Sequence, residues 1–132
     1  MYTMKDICAQ TGLPYETLRF YCNEGLIPNV KRDKNNYRIF GDKDLAWIKS
    51  LQCLKKCGMS IHDMKEYINL CIAGERTIEE RKIMLNKQKE LLREKINEMN
   101  QSIDFINEKQ AFYDGVLDGK IKYKSNLIDI GS

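Results

Sequence analysis

The chain has 132 residues, of which 42% are hydrophobic and 31% are charged, and its formal net charge is +3 at pH 7. This length and balance predict a folded protein with one modest core, and they exclude an intrinsically disordered chain. No stretch approaches the ~18 apolar residues of a membrane span, and the N-terminal residues lack the apolar run of a signal peptide. We therefore expect a cytoplasmic protein that has no membrane partner.

The cysteine and histidine content limits the possible chemistry. The chain has five cysteines, an odd number without repeated short spacing, and one histidine. This set is a poor framework for disulfides or for a structural zinc site, so we expect no metal and no cofactor. It also lacks a nucleophile and base at a recognisable spacing and a glycine-rich phosphate loop, which disfavours an enzyme. The cysteines are Cys8, Cys22, Cys53, Cys57 and Cys71.

The first 22 residues predict two short helices joined by a tight turn. Thr3 and Asp6 have the spacing of a capping box, which favours a helix start at Thr3. Gly12 breaks this helix because it tolerates a left-handed conformation. A second helix starts near Pro14, which suits a first helical position, and continues through Tyr21. Two helices joined by a three-residue turn that contains glycine are typical of a helix-turn-helix.

A small hairpin and two further helices follow. Residues 30–40 predict the hairpin, with its turn at 33–36, where asparagines accept a positive φ angle. Helical spacing of leucine and isoleucine predicts a third helix over 42–58, and a fourth extends from Ser60 to Gly74. Lysine and arginine outnumber aspartate and glutamate only within residues 1–72, which is a mild indication of nucleic-acid binding.

The C-terminal half predicts one long helix. No glycine or proline interrupts residues 75–114, which indicates a helix of roughly 40 residues, near 60 Å long. Its apolar stripe is too narrow and long to be buried on a small domain, so we expect it to pair with a second copy of itself in a homodimer. The alternative is an amphipathic helix packed within one chain, and the pattern leaves parallel and antiparallel pairing open. The expected dimerisation residues are Leu85, Leu92, Ile96, Met99, Ile103 and Ile106.

Several motifs resemble the MerR family of transcription regulators. They are TLRFY at 17–21, EGLIP at 24–28, NYRIF at 36–40 and GMSI at 58–61. The resemblance covers residues 1–70 without a gap, and the long helix follows where the family has one. It implies a mainly α fold with a winged helix-turn-helix head, a small β-hairpin wing and a long coiled-coil dimerisation helix. The implied domains are 1–72 for DNA binding, 75–117 for dimerisation and 118–132 for a C-terminal tail.

The resemblance also indicates which side chains contact DNA. The second helix of a helix-turn-helix lies in the major groove, so Arg19 is the preferred base reader, because its guanidinium can bond guanine in a bidentate way. Phe20 replaces a usual tyrosine, which removes one hydroxyl that could reach a phosphate. The expected base readers are Tyr15, Glu16 and Arg19, and the expected backbone contacts are Thr17, Tyr21, Asn36, Tyr37, Arg38 and Lys56.

The family mechanism implied by the resemblance acts on promoter DNA. Two heads in a dimer imply a pseudo-palindromic site. Family members lie between promoter elements that are separated by an overlong spacer, and they bend and undertwist this DNA so that RNA polymerase engages both elements. Such deformation costs several kcal/mol, which the protein must supply.

The signal that this regulator senses is less evident from the sequence. Cys53 has Lys49 and Lys56 on the same face of the third helix, and both favour a thiolate. The segment resembles the aldehyde- and electrophile-responsive branch of the family, which has a reactive cysteine at this place and shares the run GERTIE at 74–79. The alternatives are a Cys53 that is buried as a small hydrophobic side chain, a noncovalent effector between head and coiled coil, or a coiled-coil module that binds protein.

Overall fold

The computed structural model describes residues 1–131 and is mainly helical, with one two-stranded antiparallel sheet. The predicted fold class, a helix-turn-helix with a small hairpin wing and a long C-terminal helix, is confirmed. In chain order the elements are α1 Met4–Thr11, α2 Tyr15–Asn23, β1 Lys31–Arg32, β2 Arg38–Ile39, α3 Asp42–Lys56, α4 Ile61–Ile72, a 3-10 turn Glu75–Thr77, and α5 Ile78–Leu117.

The first helix begins at the predicted capping box. The Thr3 hydroxyl accepts a hydrogen bond from the Asp6 amide at 3.1 Å, and the Asp6 carboxylate accepts one from the Thr3 amide at 2.9 Å. The bond from the Thr3 amide, and after it the interaction of the carboxylate with the Thr3 hydroxyl, lower the pKa of the Asp6 carboxyl from its usual value. Gly12 ends α1 with φ 75°. Pro14 is the residue before α2 and not its first residue, so this helix begins one position later than we expected.

A continuous hydrophobic core holds the first four helices and the wing together. Each element contributes at least one fully buried side chain, such as Ile7 from α1, Leu18 from α2 and Phe40 at the end of the wing. Tyr2 exchanges two backbone hydrogen bonds with Phe40, which ties the N-terminus to the wing. The core residues are Ile7, Leu18, Tyr21, Leu26, Ile27, Phe40, Leu45, Ile48, Leu51, Met59, Met64 and Ile68.

The wing turn forms where the asparagines predicted it. The carboxylate of Asp33 accepts hydrogen bonds from the amides of Asn35 and Tyr37 at 2.9 and 3.0 Å. Asn36 takes a positive φ of 65°, which asparagine tolerates better than most side chains do. Strands β1 and β2 pair so that Arg32 lies opposite Arg38.

Helix α5 is 40 residues long, and Gln88 is its one buried residue. By contrast, four of the expected dimerisation residues are more than half exposed: Ile96, Met99, Ile103 and Ile106. Leu85 is 38% exposed and Leu92 is partly buried. The chain divides into two compact units, and the second begins at Arg93, within this helix. None of the helices in residues 1–131 has the length and apolar character needed to cross a membrane.

The end of α5 is closed by a glycine turn. Gly119 has φ 78°, and the Lys120 amide donates to the Gly115 carbonyl at 2.9 Å. Ile121 then packs over Gly115 so closely that the side chain of Ile121 would clash with a Cβ atom at this position. Residues 118–131 contain no helix or strand.

Candidate nucleic-acid interface and cysteine site

Helix α2 presents its N-terminal residues to solvent. Tyr15 is 53% exposed, and Glu16 and Arg19 are also exposed. The nearest nitrogen and oxygen of Arg19 and Glu16 are 3.9 Å apart. An exposed pair at this distance is weak, so the guanidinium is free to leave Glu16 for a stronger acceptor.

The other two predicted contacts on α2 are less accessible. Thr17 is partly buried. Tyr21 belongs to the core, with 3% of its surface exposed, and this burial raises the pKa of its hydroxyl. Tyr21 therefore packs the head, and it offers little surface for a phosphate in this conformation.

The wing is tied to α2 by its arginine. The Arg38 guanidinium donates to the side-chain oxygen of Asn23, the last residue of α2, at 2.8 Å. The Arg32 guanidinium donates to the Asn36 carbonyl at 2.8 Å and so supports the wing turn. Tyr37 is 71% exposed at the tip. The wing therefore has a fixed position relative to α2 and a free aromatic side chain.

One concave surface of about 460 Å³, which we call the head groove, joins α1, α2 and the wing. Three cationic side chains and one carboxylate line it, so it has an excess of positive charge. The sequence analysis did not predict Lys5 and Arg32 as site residues. They can be assigned to this surface only when the packing of α1 and of the wing is known. The lining residues are Thr3, Met4, Lys5, Tyr15, Arg32, Asp33, Asn36, Tyr37, Arg38 and Ile39. Lys56 is exposed at the end of α3 and is not among them.

Cys53 differs from the other cysteines in its access to solvent. It is exposed, whereas the other four cysteines are partly buried. Burial raises the pKa of the Cys8 thiol, and it does the same for Cys22 although Arg38 and Arg32 oppose the shift. Within one chain, Cys53 is therefore not buried in the core as a hydrophobic side chain.

Cys53 lies in the last turn of α3, which ends at Lys56. The Cys57 amide donates to the Cys53 carbonyl at 3.0 Å, and Gly58, with φ 84°, then turns the chain. Lys49 and Lys56, at positions four before and three after Cys53, are both exposed. A thiol at this place is open to small reagents and is flanked by positive charge.

The junction between α4 and α5 is fixed by a buried threonine. The Thr77 hydroxyl has the carbonyls of Leu70 and Gly74 as acceptors for its one proton, and it accepts from the Arg81 guanidinium at 3.0 Å. Arg81 also donates to the Gly74 carbonyl. The run at 74–79 therefore holds the start of α5 against the end of α4.

Trp47 lies in the wall of an apolar cavity in the head. The cavity has a volume of about 260 Å³, and Pro28, Ile68 and Cys71 also line it. The Trp47 indole donates to the Leu26 carbonyl at 2.8 Å, which fixes the ring. This cavity could accept a small apolar molecule.

Three side chains on α4 have the ligand types of a metal site. His62, Asp63 and Glu66 bring their ligand atoms within 4.8 Å of one another. His62 and Glu66 are exposed, and Lys87 lines the same cavity as the two carboxylates. Exposed groups of this kind are common without an ion, so we assign no metal site within residues 1–131.

Comparison with known proteins supports the family resemblance that the sequence motifs indicate. Residues 2–71 match the family model of the MerR HTH family regulatory protein. An uncharacterized HTH-type transcriptional regulator of Haemophilus influenzae is 43% identical over 112 residues, which cover 85% of this chain and 83% of the relative. The HTH-type transcriptional regulator AdhR of Bacillus subtilis is 38% identical over 87 residues, 66% of this chain and 62% of AdhR.

A solved structure extends the likeness to both halves of the chain. The crystal structure of HiNmlR, a MerR family regulator lacking the sensor domain and bound to promoter DNA, is 41% identical. It superposes with a TM-score of 0.73 and covers 89% of this chain and 93% of that one. These relatives are regulators and not enzymes. The chain therefore belongs to the MerR family of helix-turn-helix regulatory proteins and is a DNA-binding transcription regulator.

Proposed function

We propose that two copies of this chain bind a pseudo-palindromic promoter site through the head groove and the exposed face of α2. The observation that carries the proposal is the head groove itself, whose lining includes three cationic side chains, Lys5, Arg32 and Arg38, and one carboxylate, Asp33. A concave cationic surface between a recognition helix and a wing matches the charge of a DNA backbone. Promoter DNA bound to HiNmlR supports the same partner.

The proposed contacts divide into base readers and backbone contacts. Arg19 reads a guanine, with Tyr15 and Glu16 beside it, since these three side chains are exposed at the start of α2. Tyr37 and Arg38 contact phosphates and fix the orientation of the head. Thr17 and Asn36 contribute smaller backbone contacts, and Lys56 contacts a phosphate outside the head groove.

Dimerisation through α5 supplies the second head. The side chains expected at the seam carry exposed apolar surface, and a second α5 is the surface of matching length and character. We keep the proposed division into a DNA-binding domain at 1–72, a dimerisation helix at 75–117 and a tail at 118–132. The seam consists of Leu85, Leu92, Ile96, Met99, Ile103 and Ile106.

The dimer then regulates transcription by deforming DNA. Two heads joined through the paired helices can bend or undertwist the segment between their half-sites. The deformation acts on RNA polymerase as the partner, because it changes the relative position of the two promoter elements so that the polymerase can contact both. Transcription from templates with normal and overlong spacers tests this step, and equal activation of both templates would contradict it.

Substitution of Arg19 tests the DNA contacts. Arg19→Ala should lower specific affinity by roughly 1–3 kcal/mol and weaken discrimination between specific and scrambled duplexes. Lys43→Ala is the matched control, since Lys43 is an exposed head cation outside the head groove. Competition titrations at several salt concentrations measure both effects. Unchanged discrimination would refute the role of Arg19, and binding without salt dependence would favour a protein-interaction module.

The proposed signal is an aldehyde or another electrophile that reacts with Cys53. The thiolate sulfur forms a bond to the carbonyl carbon, the C=O π electrons move to oxygen, and oxygen takes a proton, so no oxidant is needed. Two observations support this choice: the exposure of Cys53 between two lysines, and the similarity to AdhR.

Labelling kinetics and a cysteine variant test the signal. With a limiting electrophile at pH 7, Cys53 should react at least about tenfold faster than the four partly buried cysteines, as peptide mass spectrometry can measure. Cys53→Ala should abolish the aldehyde response, whereas Cys57→Ala should keep it. A response that survives Cys53→Ala would favour a noncovalent effector, for which the cavity beside Trp47 is the candidate site.

A further inference from the structure

Gln88 occupies an unusual position in α5. It is the one buried residue of this helix, with 9% of its surface exposed, and its side chain is polar. Its amide nitrogen donates a hydrogen bond of 2.7 Å to the carbonyl of Cys57. Burial of an amide is unfavourable unless it is hydrogen-bonded, so this bond determines where the side chain lies.

The acceptor of this bond is the residue that follows the last turn of α3. The carbonyls of Cys53, Leu54 and Lys55 are already satisfied by backbone amides at 2.9 to 3.2 Å. Among residues 1–131, no backbone amide outside the helices donates to the Cys57 carbonyl, which accepts from the Gln88 side chain instead. Cys57 is therefore held through its amide by Cys53 and through its carbonyl by α5.

The space around Gln88 allows this bond to change. A cavity of about 100 Å³ adjoins the side chain, and Asp63, Glu66 and Lys87 also line it. These groups offer other acceptors and donors, and the volume exceeds that of a water molecule. A displacement of the Cys57 carbonyl can therefore move Gln88 without overpacking the core.

We propose that Gln88 is the positioning residue that couples the chemical state of Cys53 to α5, through its hydrogen bond to the Cys57 carbonyl. The inference rests on the proposed thiol response and adds the route by which it reaches the dimerisation helix. An adduct on Cys53 disturbs the turn that ends at Cys57, and Gln88 transmits this disturbance to residues 84–92 of α5.

Hydrogen exchange on alkylated protein tests the route. The full-length protein is treated with iodoacetamide to one adduct at Cys53, where the S–C bond forms, the C–I bond breaks, and iodide and the thiol proton leave. In the wild type the adduct should raise amide exchange over residues 84–92 by roughly two- to tenfold, the range that one hydrogen bond supplies. Gln88→Met removes the side-chain amide that donates to the Cys57 carbonyl. In this variant the adduct should change amide exchange over residues 84–92 by less than about 1.5-fold.

Two further variants separate coupling from stability. Gln101→Met, at an exposed glutamine of the same helix, should respond to the adduct as the wild type does. Gln88→Lys keeps a donor next to Asp63 and Glu66, and it should restore at least half of the wild-type response even if Gln88→Met folds poorly.

The outcomes distinguish the two proposals. If Gln88 only caps α3, Gln88→Met will raise exchange before alkylation and the adduct will still have its full effect, which overturns the inference. A wild type without any adduct effect on residues 84–92 overturns it too. If the adduct effect requires Gln88 but aldehydes leave transcription unchanged, the route stands and the proposed signal fails.

Discussion

The head and the long helix bury hydrophobic surface in opposite ways. The head places twelve hydrophobic side chains in its core, seven of which are less than 2% exposed. Helix α5 has 40 residues and buries only Gln88, while Ile96, Met99 and Ile103 stay more than half exposed. Because the stability of a helix in a protein comes mostly from packing of its apolar face, the head is complete in one chain, whereas the exposed apolar side chains of α5 are the surface to which we assign the proposed second copy.

The largest expected effect comes from a charge on the exposed face of α5. Ile103→Asp places two charges in the dimer seam and removes the burial of two isoleucines, worth about 1.5–3 kcal/mol each. We expect monomers at micromolar concentration and at least roughly 100-fold weaker operator binding, since two heads no longer act together. Analytical ultracentrifugation and titration on operator DNA measure these changes.

The matched control for this variant is Asn100→Asp, which adds the same charge at an exposed polar position of α5. It should leave the dimer intact. Within each full chain, the head should unfold at the same denaturant concentration in both variants, because neither residue belongs to its core. A dimeric Ile103→Asp would show that the seam lies on another face of α5.

Truncation of a side chain in the head core should have the opposite effect: it should lower the stability of the head and leave the proposed dimer seam unchanged. Ile48 is fully buried in α3, so Ile48→Ala should lower the free energy of unfolding by about 2–5 kcal/mol. Ser50→Ala, an exposed position of the same helix, should change it by less than about 0.5 kcal/mol. Urea titration measures both values. If Ile48→Ala left the head as stable as in the wild type but weakened dimerisation, the contrast between the two regions would be broken.

The smallest predicted effect lies at the first turn of α1. The bonds from Thr3 lower the pKa of the Asp6 carboxyl in the folded protein. The ionised carboxylate therefore stabilises the fold at any pH above the pKa that Asp6 has in the unfolded chain. This contribution is lost as the pH falls through the pKa of the folded protein. Asp6→Asn should therefore have a lower thermal midpoint than the wild type at neutral pH, and the two midpoints should converge in acid. Midpoints that differ equally at every pH would assign the effect to lost hydrogen bonds alone.

Local sequence signals predicted the features that depend on neighbouring residues. The capping box at Thr3, the positive φ at Asn36 and the long uninterrupted α5 all follow from short motifs or from periodicity. Tyr21 was expected to contact a phosphate, but it packs in the core, because the inner face of α2 is set by the helices around it.

The polar contacts between distant segments could not be predicted in this way. A heptad pattern counts apolar side chains, so it gives no reason to bury Gln88 or to pair it with Cys57, 31 residues earlier. The same is true of Lys5, which lines the head groove only because α1 packs beside α2 and the wing. Exposure of Cys53 also depends on which face of α3 the core covers.

The single tryptophan of the chain gives the two regions separate optical signals. Trp47, fixed by its bond to the Leu26 carbonyl, lies in the head, and α5 has no tryptophan. Its fluorescence therefore follows the head alone, whereas helical circular dichroism is weighted towards the 40 residues of α5. On dilution of the dimer, ellipticity should fall before the fluorescence changes, so one unlabelled sample reports the loss of the partner and the unfolding of the head as two events.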